Sequence, residues 1–203
     1  MSTINRREKT IIAAAIVIAS LAVIVAANAS RPVAAPQPKM TKAQQIARGK
    51  YLVTIGGCHD CHTPWIVQPD GKPGPDMSRA LSGHPSQFPI KENVKLTTDR
   101  FAVAIAPTNT AYSGPWGVSF TANLTPDPET GLGKWTQRNF VETIRTGRHM
   151  GRGREVLPPM PIAVYRNFTD ADLEAIFSYL QSLPPIRNRV PEPIPPALPV
   201  AAK

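Results

Sequence analysis

The only two cysteines of this 203-residue chain stand in the run Cys58-His59-Asp60-Cys61-His62. That spacing, C-x-x-C-H, is the attachment signature of c-type haem. Each part of it has a chemical reason. Two thiols add to the two vinyl groups of a porphyrin and become thioethers. The two-residue gap matches the separation of those vinyls. The histidine that follows lies beneath the iron and ligates it. The motif therefore implies one covalent haem c, anchored by Cys58 and Cys61, with His62 on its iron.

Three rival chemistries fit less well. A thioredoxin-like dithiol belongs in a βαβ context, whereas a helical pattern precedes this motif. A Cys58–Cys61 disulfide would close too small a loop to stabilise much. A zinc site needs more ligands at finger-like spacing, and the other histidines, His84 and His149, are scattered singles.

An iron held by His62 needs a sixth ligand or keeps an open face. In c-type haem proteins that ligand is commonly Met. Apart from the initiator, the chain offers Met40, Met77, Met150 and Met160. Met160 sits in "LPPMPIAVY", where Pro158, Pro159 and Pro161 forbid a regular helix and impose an extended strap. Such a strap can present a thioether to a flat ligand, so Met160 is the expected second axial ligand. Met150, in "GRHMGRGR", is the runner-up, and core filling is the ordinary alternative for either. His84 and His149 are weaker alternatives. His59 is the variable filler of the motif.

Elements must position these groups. A helix is expected from about Thr41 to Ile55, capped by Thr41, with Ala43, Ile46, Ala47, Tyr51 and Val53 as its apolar face. Gly56–Gly57 ends it just before the cysteines. A second helix spans 136–147, with Thr136 as cap, Phe140, Val141 and Ile144 inward and Gly147 as stop. A third covers 169–185, with Thr169 and Asp172 as a capping-box-like start and Leu173, Ile176, Phe177 and Leu180 as its stripe. The chain has 23 prolines, roughly twice the ~5% average, so long extended loops should join short helices. Residues 63–134 show no long helical period, and "FAVAIAP" (101–107) is at best a short strand. A loop region of that length needs a reason, such as wrapping a ligand.

The N-terminus reads as an export segment. Arg6, Arg7 and Lys9 precede the uncharged run 11–27, and "ANAS" follows. This fits a secretory signal ending at Ala29, or a retained membrane anchor. In both cases the basic flank stays inside and residues from 30 onward are exported. The Pro-rich stretch 30–40 is a stiff linker. The formal net charge is +9, but no Lys/Arg stripe interleaves with aromatics, and nucleic acid is not an expected partner of an exported chain.

With these pieces in place, the chain resembles the single-haem, class I-type cytochromes c of bacteria. The helix–CHDCH opening, the "PPMP" strap and the final "DLEAIFSYLQSLPP" helix carry the match, over most of residues 41–190. The block "GPWGVSFTANLTPDPETGLGKWT" (114–136) also resembles membrane-linked cytochromes c that serve dehydrogenases. The resemblance implies an all-α fold: a small helical domain with long irregular loops, preceded by an apolar N-terminal helix. It implies four parts: signal or anchor (1–29), linker (30–40), cytochrome c domain (41–190) and Pro-rich tail (191–203). It implies a close crossing of first and last helices, here Gly49 and Tyr51 against Phe177 or Tyr179. It also implies an electron carrier rather than an enzyme, located in the periplasm or anchored to the cytoplasmic membrane facing it. Its partners would be redox proteins, such as a dehydrogenase or terminal oxidase. A dedicated subunit of such a complex, or a ligand-binding, peroxidase-like haem protein, are the alternatives.

Other residues carry weaker expectations. Trp116, Trp135, Tyr112 and Asn123 would close the haem crevice or simply pack. Arg145, Arg148, Arg152 and Arg154 would neutralise propionates, dock an acidic partner or face solvent. Asp127 and Glu129 read first as a turn.

Cys58→Ser or Cys61→Ser is expected to reduce covalent haem sharply. Haem staining on a denaturing gel, unchanged from wild type, would sink the assignment.

Overall fold

The computed structural model describes residues 40–94 and 101–196. The expected apolar N-terminal helix, most of the linker and the last residues of the tail lie outside them. Among the described residues, no helix is long and apolar enough to cross a membrane.

Helix α1 (Lys42–Ile55) begins with a full capping box: Thr41 Oγ1 accepts from the Gln44 amide, and Gln44 Oε1 accepts from the Thr41 amide at 2.8 Å. Its inward face is Gly49, Leu52 and Val53; of the expected face Val53 is buried and Ile46 half-buried, while Ala43, Ala47 and Tyr51 are exposed. Tyr51 is exposed and lies under the Arg48 guanidinium, 5.6 Å from the ring centroid. Helix α2 (Cys58–His62) is the single turn that holds the motif. Helix α3 (Gln137–Thr146) has Thr136 and Asn139 as its capping box and stops at Gly147 in the left-handed conformation, φ +69. Helix α4 (Ile162–Tyr165) follows the Met160 strap. Helix α5 (Asp170–Leu180) buries Leu173, Ile176, Phe177 and Leu180, as its stripe predicts. Its cap is only half a box: Thr169 Oγ1 takes the Asp172 amide at 3.1 Å, but the Asp172 carboxylate bonds the same hydroxyl and not the cap amide.

Helices α1 and α5 cross at Gly49. A Cβ there would lie 2.0 Å from the Ala175 carbonyl oxygen and 2.7 Å from Tyr179 Cβ. The expected contact thus forms with Ala175 and Tyr179 opposite Gly49, while Tyr51 points away. Arg48 and Asp172 brace the crossing by an ion pair at 2.9 Å.

The fold is not all-α. Strands β1 (Trp65–Val67) and β2 (Pro73–Pro75) form one antiparallel hairpin. Strands β3 (Ala104–Ile105), β4 (Ala111–Gly114) and β5 (Gly117–Phe120) form a three-stranded antiparallel sheet, with Tyr112 opposite Ser119. These strands are two to four residues long. Such lengths give hydrophobic alternation too few periods to show among Pro and Gly. Ala111, Tyr112 and Val118 are buried, so the sheet packs into the body of the protein. The Pro-rich tail is built in as well: Val118 and Ile194 exchange backbone bonds at 2.8 and 3.0 Å. Gly117, at φ +96, makes room for this, since a Cβ would stand 2.0 Å from the Ile194 carbonyl oxygen.

Gly49→Ala forces a methyl against backbone and is expected to cost about 3 kcal/mol or more. Denaturant unfolding should show a lowered midpoint with an unchanged slope; a midpoint equal to wild type would refute the crossing as drawn.

Candidate haem site

A cavity of about 470 Å³ opens in the helical body, well within the ~300–1,000 Å³ of cofactor sites. Cys58, Cys61, His62 and Met160 all line it. Gly57, in the left-handed conformation at φ +65, turns the chain sharply from α1 into α2. The two thiols are free, half-buried, and on one helical turn with His62.

His62 is buried, and its Nδ1 lies 2.8 Å from the Ala122 carbonyl oxygen. A carbonyl only accepts, so Nδ1 carries the proton and Nε2 carries the lone pair. Burial pushes the His62 pKa down and favours the neutral ring that a metal requires. Burial likewise pushes the Cys58 thiol up to about 11. A redox dithiol needs a depressed thiol pKa, so this is not the environment of one. Two thiols, an imidazole with a free lone pair and a thioether, converging on one largely apolar cavity, fit a c-type haem.

Met160 reaches the cavity on a strap fixed from β5. Ser119 Oγ donates to the Pro158 carbonyl at 2.5 Å, and Trp116 Nε1 donates to Ser119 Oγ at 3.2 Å. Behind the strap, the Ile162 amide bonds the Met160 carbonyl at 2.9 Å and starts α4. From α4 the Tyr165 hydroxyl donates to the Gly56 carbonyl at the entry to the motif, and burial pushes its pKa up to about 12. Tyr112 donates to the Asn109 carbonyl at 2.8 Å with its oxygen 3.1 Å from Cys61 Sγ, and burial again raises its pKa. Tyr165, Ser119 and the Ala122 carbonyl have no signature in the sequence. Only the bond each makes reveals its part.

The remaining expectations sort by place. His84 is fully buried, with Nδ1 on Thr110 Oγ1 at 2.9 Å and Nε2 on the Phe88 carbonyl at 2.8 Å, so neither nitrogen is free for a metal. His59 Nδ1 lies 3.0 Å from Thr63 Oγ1, and the residue is not part of the cavity wall. His149 does line the cavity, its ring edge-on to Trp135 at 5.0 Å. Met150 stands outside the wall, and Met40 and Met77 are exposed. The arginine cluster divides: Arg145 pairs with Asp170 at 2.5 Å, Arg148 donates to the Gly153 carbonyl, and Arg154 turns to the cavity. Trp135 lines the cavity, while Trp116 supports the strap from behind. Asn123 lines it too, but its amide is spent on the Ile186 carbonyl and on Thr125.

No protein-family model matches the sequence. The chain is 29% identical over 160 residues to a subunit of the nicotinate dehydrogenase of Pseudomonas putida, covering 79% of this chain and 10% of that protein. It is 25% identical over 150 residues to the cytochrome c subunit of a quinone alcohol dehydrogenase from Gluconobacter oxydans, covering 72% and 24%. A dihaem cytochrome c-type protein of Cereibacter sphaeroides is 26% identical over 149 residues, covering 73% and 39%. The chain is cytochrome c-like. It spans between a tenth and two fifths of these curated relatives. A cytochrome c-like chain implies haem c with its iron.

One loop that contributes Glu129, Thr130 and Gly131 to the cavity wall carries a carboxylate whose surroundings predict an acid response. Asp127 Oδ1 accepts from the Thr130 hydroxyl and amide, each at 2.7 Å, and from the Glu129 amide at 3.1 Å, so "TPDPETG" is the turn its sequence suggests. The Thr130 hydroxyl foremost holds the carboxyl below its ordinary 3.8. A depressed carboxylate contributes stability above its unfolded pKa and loses it as pH falls through the folded one. Asp127→Asn keeps an acceptor and removes the titration. Its stability should fall less steeply than that of wild type below about pH 4; parallel acid limbs in thermal melts would contradict this.

Proposed function

We propose that this chain is an electron-transfer protein carrying a single covalent haem c. Cys58 and Cys61 anchor it, and His62 and Met160 are its axial ligands. The observation that carries the proposal is the meeting of these four side chains on one cavity wall, from segments far apart in the chain. A single C-x-x-C-H motif supports a single haem.

The bound haem iron supplies a site that takes up and releases one electron at a time. The chain's residues make that site selective for electrons. His62 would offer Nε2, because its Nδ1–H, on the Ala122 carbonyl, fixes the ring's orientation and tautomer. The strap brings the Met160 thioether to the same cavity, and with His62 and Met160 both holding the iron a bound haem would leave no site for substrate. Leu52, Ile144, Leu173 and Ile176 among the wall residues exclude water, and burial together with a Met ligand favours a relatively high potential.

The relatives named as cytochrome subunits of alcohol, fructose and gluconate dehydrogenases support a dehydrogenase as donor. The proposed role is therefore that of carrier, free or as the haem subunit of such a complex, and not of catalyst. The proposed layout keeps 1–29 as signal or anchor, 30–40 as linker, 41–190 as the haem domain and 191–203 as tail. It places the haem in the periplasm or at the membrane face toward it.

Met160→Ala should abolish the weak Met–Fe(III) absorption band and let carbon monoxide bind the reduced protein. Met160→His should remain low-spin at a lower potential. A wild-type-like band in Met160→Ala would assign the sixth ligand elsewhere.

A further inference from the structure

The tail is more than a cover. Residues 189–193 line the cavity, and both ends of that stretch are pinned. At one end Asn188 is buried: its Nδ2 donates to the Ser82 carbonyl at 2.7 Å and the His84 carbonyl at 2.9 Å. Its Oδ1 accepts from the Ser86 amide at 3.1 Å, and its own amide bonds Thr130 Oγ1 at 3.0 Å. At the other end Ile194 bridges Val118 on β5. Pro191 and Pro193 stiffen the span between.

This strap places Arg189 at the cavity. Arg154 reaches the same cavity from the 148–155 turn, where the Arg148–Glu155 bridge fixes the chain. Among the described residues no other arginine or lysine lines it. Arg189 has no carboxylate within ion-pair distance among the described residues, and Arg154 has only Glu192, at a loose 3.5 Å. A c-type haem brings two propionates, and its vinyl edge faces away from them. The charges around the cavity separate in the same way. The charged neighbour of Cys58 and Tyr165 is Asp60, whereas those of His149 are Arg154 and Glu192.

We propose that the strap 189–193 forms the propionate wall of the haem cavity, with Arg189 and Arg154 as the cations that bind the two carboxylates. The proposal rests on the haem assignment above. Planar guanidinium groups suit carboxylates because they give paired, charge-assisted hydrogen bonds. Glu192 is the carboxylate that Arg154 already holds at 3.5 Å.

The test uses the full chain matured with haem. Arg189→Gln, Arg154→Gln and Arg189→Lys are compared with Arg187→Gln as control, since Arg187 pairs with Glu129 at 3.0 Å and lies outside the wall. Resonance Raman reads the propionate bending band, and voltammetry reads the midpoint potential. Both cavity Gln variants should shift the band and lower the potential. Arg189→Lys should keep the potential but shift the band, because the charge stays and the fork is lost. Arg187→Gln should leave the band where it is. An unmoved band in both cavity Gln variants overturns the proposal, as does an equal shift in Arg187→Gln. Failure of the haem assignment itself would show first and separately, as wild-type protein without covalent haem in its mass and pyridine haemochrome spectrum.

Discussion

Backbone meets side-chain-free backbone where α1 crosses α5. With a Cβ position at Gly49 only 2.0 Å from the Ala175 carbonyl oxygen, the two helices are as close as packing permits. That closeness fixes where α1 ends, and α1 ends one glycine pair before the first cysteine. The thiols and His62 therefore inherit their place from a contact nine residues upstream. The Arg48–Asp172 pair lies on the exposed rim of the crossing and adds little energy; it sets register more than strength.

The second half of the cavity is held by hydrogen bonds in place of helix packing. Ala122, a residue with no polar side chain, orients His62 through its carbonyl. Ser119, three residues earlier on the same stretch, holds Pro158 and so the Met160 strap. One short segment thus sets both the imidazole and the approach of the thioether. This gives the small sheet a purpose: β4 and β5 make rigid what would otherwise be a loop beside the iron site.

How much of this could be read from residues alone follows from the range of each signal. The helices were legible because Thr41, Thr136 and Thr169 cap them and glycine or proline ends them, all within a few residues. The thiols and His62 were legible because their chemistry dictates their spacing. Met160 stood out because three prolines around it leave few conformations. The sheets were not legible, since strands of two to four residues among glycines and prolines show no alternation. Of the inward face of α1 only Val53 was legible, because the closest contact there is a glycine, which has no apolar side chain to count. Bonds such as His62 to Ala122 or Asn188 to Ser82 span long separations and depend on backbone carbonyls, which every residue possesses. The prolines of the tail announce extension but not destination.

Asn188 and Ile194 anchor a wall that comes last in the chain. Among the segments around the cavity, α1 and the cysteines leave the ribosome first and residues 189–193 leave it last. Closure thus ties the two ends of the domain together: removing residues 188–196 would take one wall from a site whose thiols stand far upstream.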